Sequence, residues 1–215
     1  MTQHAEWTER LDKEMKKPYF EKLLEQKINR SRDVDLTPQK EDWFTSLRFP
    51  DMSQINVILV GNQTNVDSFA ADGFAFSSIY DADREAEKLY RKLEQELGVV
   101  YNREDNTKTR WLNQGILCYP FCQIADAGHL NYSSRDWHQF SSAILRHWLD
   151  YKRPMAFAFL DRYTQHIPTF LWDKHKLPHF IVSSDINKPE FWTTPIFKSI
   201  TQFIKETYGY EINWR

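Results

Sequence analysis

The chain has 215 residues, a formal net charge of −2 and 15% aromatic residues. This length is enough to bury a core, so we predict a single domain over residues 1–215. The near-neutral charge argues against general attraction to nucleic acid, because contacts from lysine and arginine to phosphate supply most non-specific affinity. No leader segment and no apolar stretch long enough to cross a membrane is visible. We therefore expect a cytoplasmic protein without membrane partners.

Cys118 and Cys122 lie four positions apart between apolar neighbours. This spacing fits neither a zinc site nor a disulfide framework, so we expect buried thiols in a reducing compartment. Metal-ligand spacing is also missing from the histidines considered, which are His129, His166, His175 and His179. We expect no metal and no cofactor, since no glycine-rich phosphate loop is present either.

The first predicted elements are helices. Apolar residues recur at helical spacing over 7–15 and over 20–24, with Pro18 allowing a break between the two helices. Lysines here alternate with acidic residues, which is typical of a solvated helix face. Further on, Thr37 resembles an N-cap with Pro38 at the first helical position, which predicts a short third helix.

Four apolar runs predict buried strands over residues 55–60, 115–119, 155–160 and 179–182, with Pro120 ending the second. Helical periodicity lies between and after them, over 83–97, 137–151, 163–172 and 195–208. Strands alternating with helices predict an α/β fold with a central, mostly parallel, four-stranded sheet covered by helices on both faces. Binding is expected in the loops after the strands, which begin at Gly61, Tyr119, Asp161 and Ser183.

Three segments carry a family resemblance. Residues 17–20 read Lys-Pro-Tyr-Phe, residues 111–117 read Trp-Leu-Asn-Gln-Gly-Ile-Leu, and residues 209–214 read Gly-Tyr-Glu-Ile-Asn-Trp. In this order they resemble the family 1 uracil-DNA glycosylases, over nearly the whole chain. The resemblance implies the fold of that family, in a divergent member whose catalytic motifs are replaced.

The water-activating loop of that family reads Gly-Gln-Asp-Pro-Tyr-His, and residues 61–66 match it here. Asn62 follows the glycine, and Gln63 stands where the family has the carboxylate that orients the attacking water. An amide cannot take a proton or carry a negative charge. Asn65 stands at the tyrosine that excludes thymine. Phe76 matches the aromatic that stacks on the base, and we expect it to be either that wall or an ordinary core residue.

Two further positions lose the family's base contacts. Pro120 matches an asparagine that reads the uracil edge, and it has no side-chain donor or acceptor. Asp185 matches the histidine that donates to the uracil oxygen, and its carboxylate would repel negative charge developing there. Glu85 falls near the family's phosphate clamp. Nearby Asp67, Asp72 and Asp126 are candidates for a displaced carboxylate, but turn and cap chemistry is the favoured interpretation.

The leading hypothesis is a protein of this fold that lacks uracil excision and binds a partner protein at the former DNA groove. The resemblance suggests a replication factor or an acidic inhibitor that mimics DNA. Phe191 and Trp192 would then be exposed anchors, unless they pack into the core. The rival hypothesis is a glycosylase for a different base that uses a relocated acid. Weak DNA binding is a third hypothesis, and its candidate contacts are Lys108, Arg110, Arg135 and Lys188.

Overall fold

The computed structural model describes residues 3–48, 50–128, 134–150, 153–161 and 179–215. Its helices are α1 (Gln3–Met15), α2 (Pro18–Arg30), α3 (Thr45–Arg48), α4 (Arg84–Leu97), α5 (Thr109–Leu112), α6 (Ser134–Leu149), α7 (Glu190–Thr193) and α8 (Phe197–Tyr208). Its strands are β1 (Leu36–Thr37), β2 (Val57–Gln63), β3 (Ile116–Cys122), β4 (Ala125–Asp126), β5 (Ala156–Phe159) and β6 (Phe180–Ser183). The helix predicted over 163–172 lies outside the described residues. No described helix is both long and apolar enough to span a bilayer.

The main sheet has four parallel strands in the order β3-β2-β5-β6. It separates two apolar cores. Ile58 and Val60 of β2 pack in the first core with α1, α2 and α6, whereas Val57 and Leu59 pack in the second core with α4 and α8. Side chains alternate across a strand, so a strand buried on both faces reads as a continuous apolar run. The predicted α/β fold class, with helices on both faces of the sheet, is confirmed.

Two strands are longer than predicted. β2 continues beyond Val60 to Gln63, and β3 continues through Pro120 to Cys122. Pro120 was expected to end its strand, and this prediction is wrong. In the described sheet β3 is an edge strand, where a proline can lie without breaking the ladder because its missing N–H is not needed by a neighbour.

The segment around Thr37 is also different from the prediction. Thr37 does not cap a helix but pairs in β1 with Ala125 of β4, and its hydroxyl donates a hydrogen bond to the carbonyl of Asn65. A 3-10 turn follows over Lys40–Asp42, and α3 begins only at Thr45. Because its hydroxyl is bonded to the loop after β2, Thr37 supports that loop instead of a helix.

The predicted helix over 83–97 is confirmed as α4. The side chain of Asp83 caps it by accepting a hydrogen bond from the N–H of Ala86 at 2.8 Å. Gly98 ends it with a left-handed φ of 67°, a conformation that glycine adopts without a Cβ penalty. The cap fixes the first turn of α4, where Glu85 lies.

Glu14 joins α1 to the start of α2 and to α6. Its carboxylate is 2% exposed and contacts Lys17 at 2.7 Å, the hydroxyl of Tyr19, and the Nε2 atom of His147 at 3.3 Å. Burial alone would raise the pKa of Glu14, but these hydrogen bonds together lower it below its usual value. The ionised carboxylate therefore stabilises the packing of the first two helices on α6.

We expect Glu14→Gln to lower the free energy of unfolding by about 2 kcal/mol at neutral pH, because three neighbours lose a charged acceptor. The pKa of Glu14 is lowered from 4.5 on folding, so its contribution is present above that value and disappears as the pH falls through the folded pKa. Urea unfolding should therefore show a gap between parent and variant that closes in acid. The control Glu9→Gln removes an exposed pair with Lys13 and should change little. Equal losses in both variants would contradict this role.

Candidate functional site at the carboxyl edge of the sheet

The carboxyl ends of the parallel strands meet along one edge of the sheet. The register pairs Gly61 with Pro120, and the N–H of Leu160 donates to the carbonyl of Val60 at 2.9 Å. The N–H of Ile186 donates in turn to the carbonyl of Leu160 at 2.9 Å. Residues that follow the strands are thus held side by side. We call this region the strand-end site and define it by Asn62, Gln63, Phe76, Glu85, Pro120, Asp161 and Asp185.

The loop after β2 is buried. Asn62, Gln63 and Asn65 are each no more than 4% exposed, and Gln63 lies opposite Cys122 in the last pair of the β2–β3 ladder. The side-chain oxygen of Asn65 accepts a hydrogen bond from the N–H of Asp67 at 2.9 Å, which forms a turn. Residues 62–65 contribute amides and a hydroxyl to this edge, and no carboxylate.

The ring of Phe76 lies over Gly61. A methyl group on Gly61 would stand 2.7 Å and 2.9 Å from two ring atoms and 3.0 Å from the Cβ of Ala75. This close approach is possible because glycine has no side chain. Phe76 is 3% exposed and packs in the second core, which agrees with either interpretation of this residue, a core position or the wall of a base pocket. The same ring also fills the space above the end of β2.

We predict that Gly61→Ala lowers the free energy of unfolding by about 1–3 kcal/mol, since the new methyl group displaces the ring of Phe76. The cost of the same substitution should be smaller in a Phe76→Leu background, where the ring is absent. Urea unfolding of the two single variants and the double variant measures this coupling. An identical cost in both backgrounds would show that the ring contact is not the cause.

Glu85 extends the site from the first turn of α4. It is 8% exposed, and its carboxyl group is hydrogen-bonded to the side chain of Asn187. The side-chain oxygen of Asn187 also accepts a hydrogen bond from the Nζ atom of Lys88 at 2.5 Å. The backbone N–H of Asn187 donates to the carboxylate of Asp185 at 2.9 Å. Asn187 therefore connects the start of α4 to the loop after β6.

Buried carboxyl groups meet here. Burial, with the nearby charges of Asp161 and Asp83, raises the pKa of Glu85 to about 7. Asp161 and Asp185 are 6% and 4% exposed. Asp161 was predicted only as the first residue of a loop, and its position directly after the third apolar run is the sequence signal that brings it to this edge. The site can thus exchange a proton at Glu85 near neutral pH, and it concentrates negative charge.

We predict that Glu85→Gln removes a pH dependence of stability. The pKa of Glu85 rises from 4.5 to about 7 on folding, so between these values the folded chain binds more protons than the unfolded chain and stability falls as pH rises. The total fall is about 3 kcal/mol. The variant should be more stable than the parent at mildly alkaline pH, as measured by urea unfolding across pH, whereas the exposed control Glu104→Gln should follow the parent. Parallel profiles for the parent and Glu85→Gln would refute the burial of this charge.

Known proteins resemble the chain in sequence over its full length. It is 23% identical to the uracil-DNA glycosylase of Streptococcus pneumoniae, over 99% of both chains. The chain belongs to the uracil-DNA glycosylase superfamily. No family model matches the chain.

Solved structures of uracil-DNA glycosylases share its fold. Mimivirus uracil-DNA glycosylase superposes with a TM-score of 0.83 at 16% identity, over 98% of this chain and 86% of that one. A mimivirus UNG variant in complex with UGI gives a TM-score of 0.81 at 16% identity, over 97% and 87%. A point mutant of the UNG from Nitratifractor salsuginis gives 0.52 at 14% identity, over 90% and 97%. The predicted resemblance is therefore confirmed at the level of the superfamily.

The other acidic candidates in this superfamily member have local roles. The side chains of Asp67 and Asp72 each accept a hydrogen bond from the backbone N–H two residues further on, at 2.9 Å and 3.2 Å. This is the turn chemistry that the sequence favoured. Asp126 forms an ion pair with Arg30 at 2.9 Å. These interactions hold all three carboxylates in turns or ion pairs.

Phe191 lies in the second core with no exposed surface, so the prediction of an exposed anchor at this position is wrong. Trp192 is only partly exposed and packs against the same core. Both residues are held against α4 by Lys92. Its Nζ atom lies 6.0 Å from the ring centroid of Phe191 and donates a hydrogen bond to the carbonyl of Trp192 at 3.1 Å. Lys92 is also paired with Glu96 at 3.0 Å, so a buried cation fixes α7 against α4.

Two of the four basic candidates for DNA contact are engaged within the fold. Lys108 is 2% exposed and donates to a tyrosine hydroxyl at 2.6 Å and to a backbone carbonyl at 2.7 Å. Its burial lowers its pKa to about 8. Arg110 forms an ion pair with Asp105 at 3.3 Å. Contact between Lys108 and DNA is thus a wrong prediction, whereas Arg135 and Lys188 are exposed.

The cysteines are buried free thiols, as expected, and burial raises the pKa of both Cys118 and Cys122 to about 12. They are therefore protonated and unreactive at neutral pH. His179 accepts a backbone hydrogen bond from Met155 at 3.1 Å, while residues 129, 166 and 175 lie outside the described part of the chain. Within that part, no three His, Cys, Asp or Glu side chains are grouped to hold a metal ion.

Proposed function

We propose that this chain is a uracil-DNA glycosylase-fold protein that does not excise uracil and instead binds a partner protein at the former DNA groove. The observation that carries the proposal is the set of buried carboxyl groups at the strand-end site, from Glu85, Asp161 and Asp185. Excision of uracil from DNA needs hydrogen-bond donors or positive charge near the phosphate and near the departing base, not carboxyl groups.

The first support comes from Gln63. By the family resemblance, this residue stands where a carboxylate orients the attacking water and balances positive charge on the sugar. The amide of Gln63 has no charge and no basic atom. Residues 57–66 contain no acidic residue, and the nearest following one, Asp67, is held in its own turn. The loop therefore offers no neighbouring replacement for the lost group.

The second support comes from the two positions that would hold the base. Pro120 has no polar side-chain atom with which to read the edge of a base. Asp185 stands where a histidine would donate to the oxygen of uracil, but a carboxylate only accepts hydrogen bonds. Its oxygen already accepts from the N–H of Asn187 at 2.9 Å. A developing negative charge on a base would meet another negative charge.

The third support is electrostatic. At a pH above the pKa of Glu85, its carboxylate carries a negative charge beside Asp161. Charges held in a buried, low-dielectric region interact more strongly than charges on the surface. A phosphodiester entering this edge would be repelled, and of the four basic candidates Lys108 and Arg110 are occupied elsewhere. DNA is therefore a weak ligand in this proposal.

A protein partner fits the strand-end site of this chain better than DNA does. A mimivirus UNG of the same fold has been solved in complex with UGI, which supports protein binding as a property of this fold. Two kinds of partner follow from the family resemblance, a replication factor and an acidic mimic of DNA. The buried carboxyl groups at the strand-end site favour the first kind, because an acidic partner would meet like charge.

A second candidate function is excision of a different base by a relocated acid. The observation that favours it is Glu85, whose pKa of about 7 is suitable for a general acid or base at neutral pH. Asp161 would be the second carboxyl group of the pair, since its charge is one of the causes that raise the pKa of Glu85. Paired carboxyl groups are a common basis for acid and base roles in catalysis.

The test of the main proposal is a base-release assay on single-stranded DNA that contains uracil or one of several modified bases. We expect the parent protein to leave no abasic sites. A triple variant with Gln63→Asp, Pro120→Asn and Asp185→His should recover uracil release, because it restores the family's groups. The glycosylase of Streptococcus pneumoniae is the positive control. Uracil release by the parent protein would overturn the proposal.

The same assay separates the second candidate. If the parent released a modified base through Glu85, then Glu85→Gln should lower the rate by about 100-fold or more, while Glu104→Gln should leave it unchanged. Release that is unaffected by Glu85→Gln would exclude Glu85 as the relocated acid. If the parent protein releases none of the bases tested, excision of those bases is excluded as its function.

A further inference from the structure

Two loops beside the strand-end site expose large apolar side chains. Phe69 is 72% exposed, Ile79 is 51% exposed and Tyr80 is 64% exposed. The backbone joins them, since the N–H of Ile79 donates to the carbonyl of Ala70 at 2.9 Å. We call this the Phe69 surface and define it by Phe69, Ile79 and Tyr80. In the chain, Phe69 comes soon after the end of β2, and Ile79 and Tyr80 come soon after Phe76.

The Phe69 surface is held in place by side-chain hydrogen bonds. The N–H of Phe69 donates to the carboxylate of Asp67 at 2.9 Å. The side chain of Asn106 donates to the carbonyl of Tyr80 at 2.9 Å, and the N–H of Ser78 donates to the carbonyl of Asn106 at 3.2 Å. These bonds fix the backbone of both loops. Aromatic side chains on a fixed backbone have only two rotatable bonds and lose little conformational entropy on binding, so they are effective contact residues.

The charge around this surface is negative. Residues 66–83 contain four aspartates and no lysine, arginine or histidine. In the neighbouring loop, the guanidinium of Arg103 is neutralised by Glu87 at 3.1 Å and Glu94 at 2.6 Å. The first basic residue after the segment is Arg84, at its edge. Of the four aspartates, Asp67 and Asp81 are exposed, whereas burial raises the pKa of Asp72 and Asp83. An incoming ligand therefore meets apolar contact area beside two exposed carboxylates.

We infer that the Phe69 surface binds a protein segment that presents apolar side chains flanked by lysine or arginine. This inference rests on the proposed function and gives the chemical class of the partner. The aromatic and aliphatic side chains supply buried area, and the aspartates supply complementary charge. Nucleic acid would find aromatic rings for stacking, but residues 66–83 offer no lysine or arginine for its phosphates. A second copy of this chain would bring a second negative surface.

The test uses the full chain and two short peptides in which leucine and phenylalanine alternate either with lysine or with glutamate. Backbone amide chemical shifts report where each peptide binds, and titrations give the dissociation constants. We expect the lysine peptide to shift amides of residues 66–83 and to bind more weakly as salt is added. We expect no saturable binding by the glutamate peptide or by a single-stranded oligodeoxynucleotide.

A matched pair of variants separates this surface from general attraction between a peptide and an acidic protein. The double variant with Phe69→Ser and Tyr80→Ser should raise the dissociation constant of the lysine peptide by roughly tenfold or more. The control Val100→Ser removes another apolar side chain, 81% exposed, and should leave affinity unchanged. Equal affinity in both variants, or binding of the oligodeoxynucleotide at residues 66–83, would overturn the inference.

The outcome is distinguishable from failure of the proposed function. Uracil release by the parent protein would refute the proposed function, whether or not the peptides bind. Absence of lysine-peptide binding in a protein that releases no uracil would remove only the inference about the partner. Circular dichroism and urea unfolding of each variant ensure that a change in affinity is not a change in folding.

Discussion

The parallel register between β2 and its neighbours decides which residues meet at the carboxyl edge of the sheet. The register pairs Gly61 with Pro120, and the ladder to β5 brings Leu160 and then Asp161 beside the end of β2. The ring of Phe76 lies over Gly61 and leaves no room for a side chain at that position. The backbone bonds that hold the sheet together therefore hold the strand-end residues side by side, and α4 adds Glu85 to them.

The fold and the site place different demands on the sequence. The sheet needs apolar side chains on both faces, and β2 and β3 are buried along their full length. The residues at the strand ends do not have to be apolar, so polar residues there can change while the core stays intact. This explains how a member of the uracil-DNA glycosylase superfamily can keep its architecture and carry Glu85, Asp161 and Asp185 together at the edge. Asn187 and Lys88 offset part of the resulting repulsion.

Much of the fold could be predicted because the signals are local. The helix α4 is specified by apolar periodicity, by the cap at Asp83 and by Gly98. The site was harder to predict because its partners are distant in sequence. Glu85 and Asn187 are about a hundred residues apart, and only the packed structure shows their hydrogen bond. The burial of Phe191 does not follow from the local sequence, because an aromatic residue on a short helix can face solvent or the core, and the buried Lys92 that contacts its ring lies on another helix.

We propose that negative charge at the strand-end site weakens the binding of DNA. Fluorescence anisotropy of a labelled, uracil-containing oligonucleotide tests this most directly when it is measured at low salt, above and below the pKa of Glu85. We expect only weak binding above that pKa. Tight binding of the oligonucleotide above the pKa of Glu85, unchanged on acidification, would show that the carboxyl groups of the strand-end site do not repel DNA.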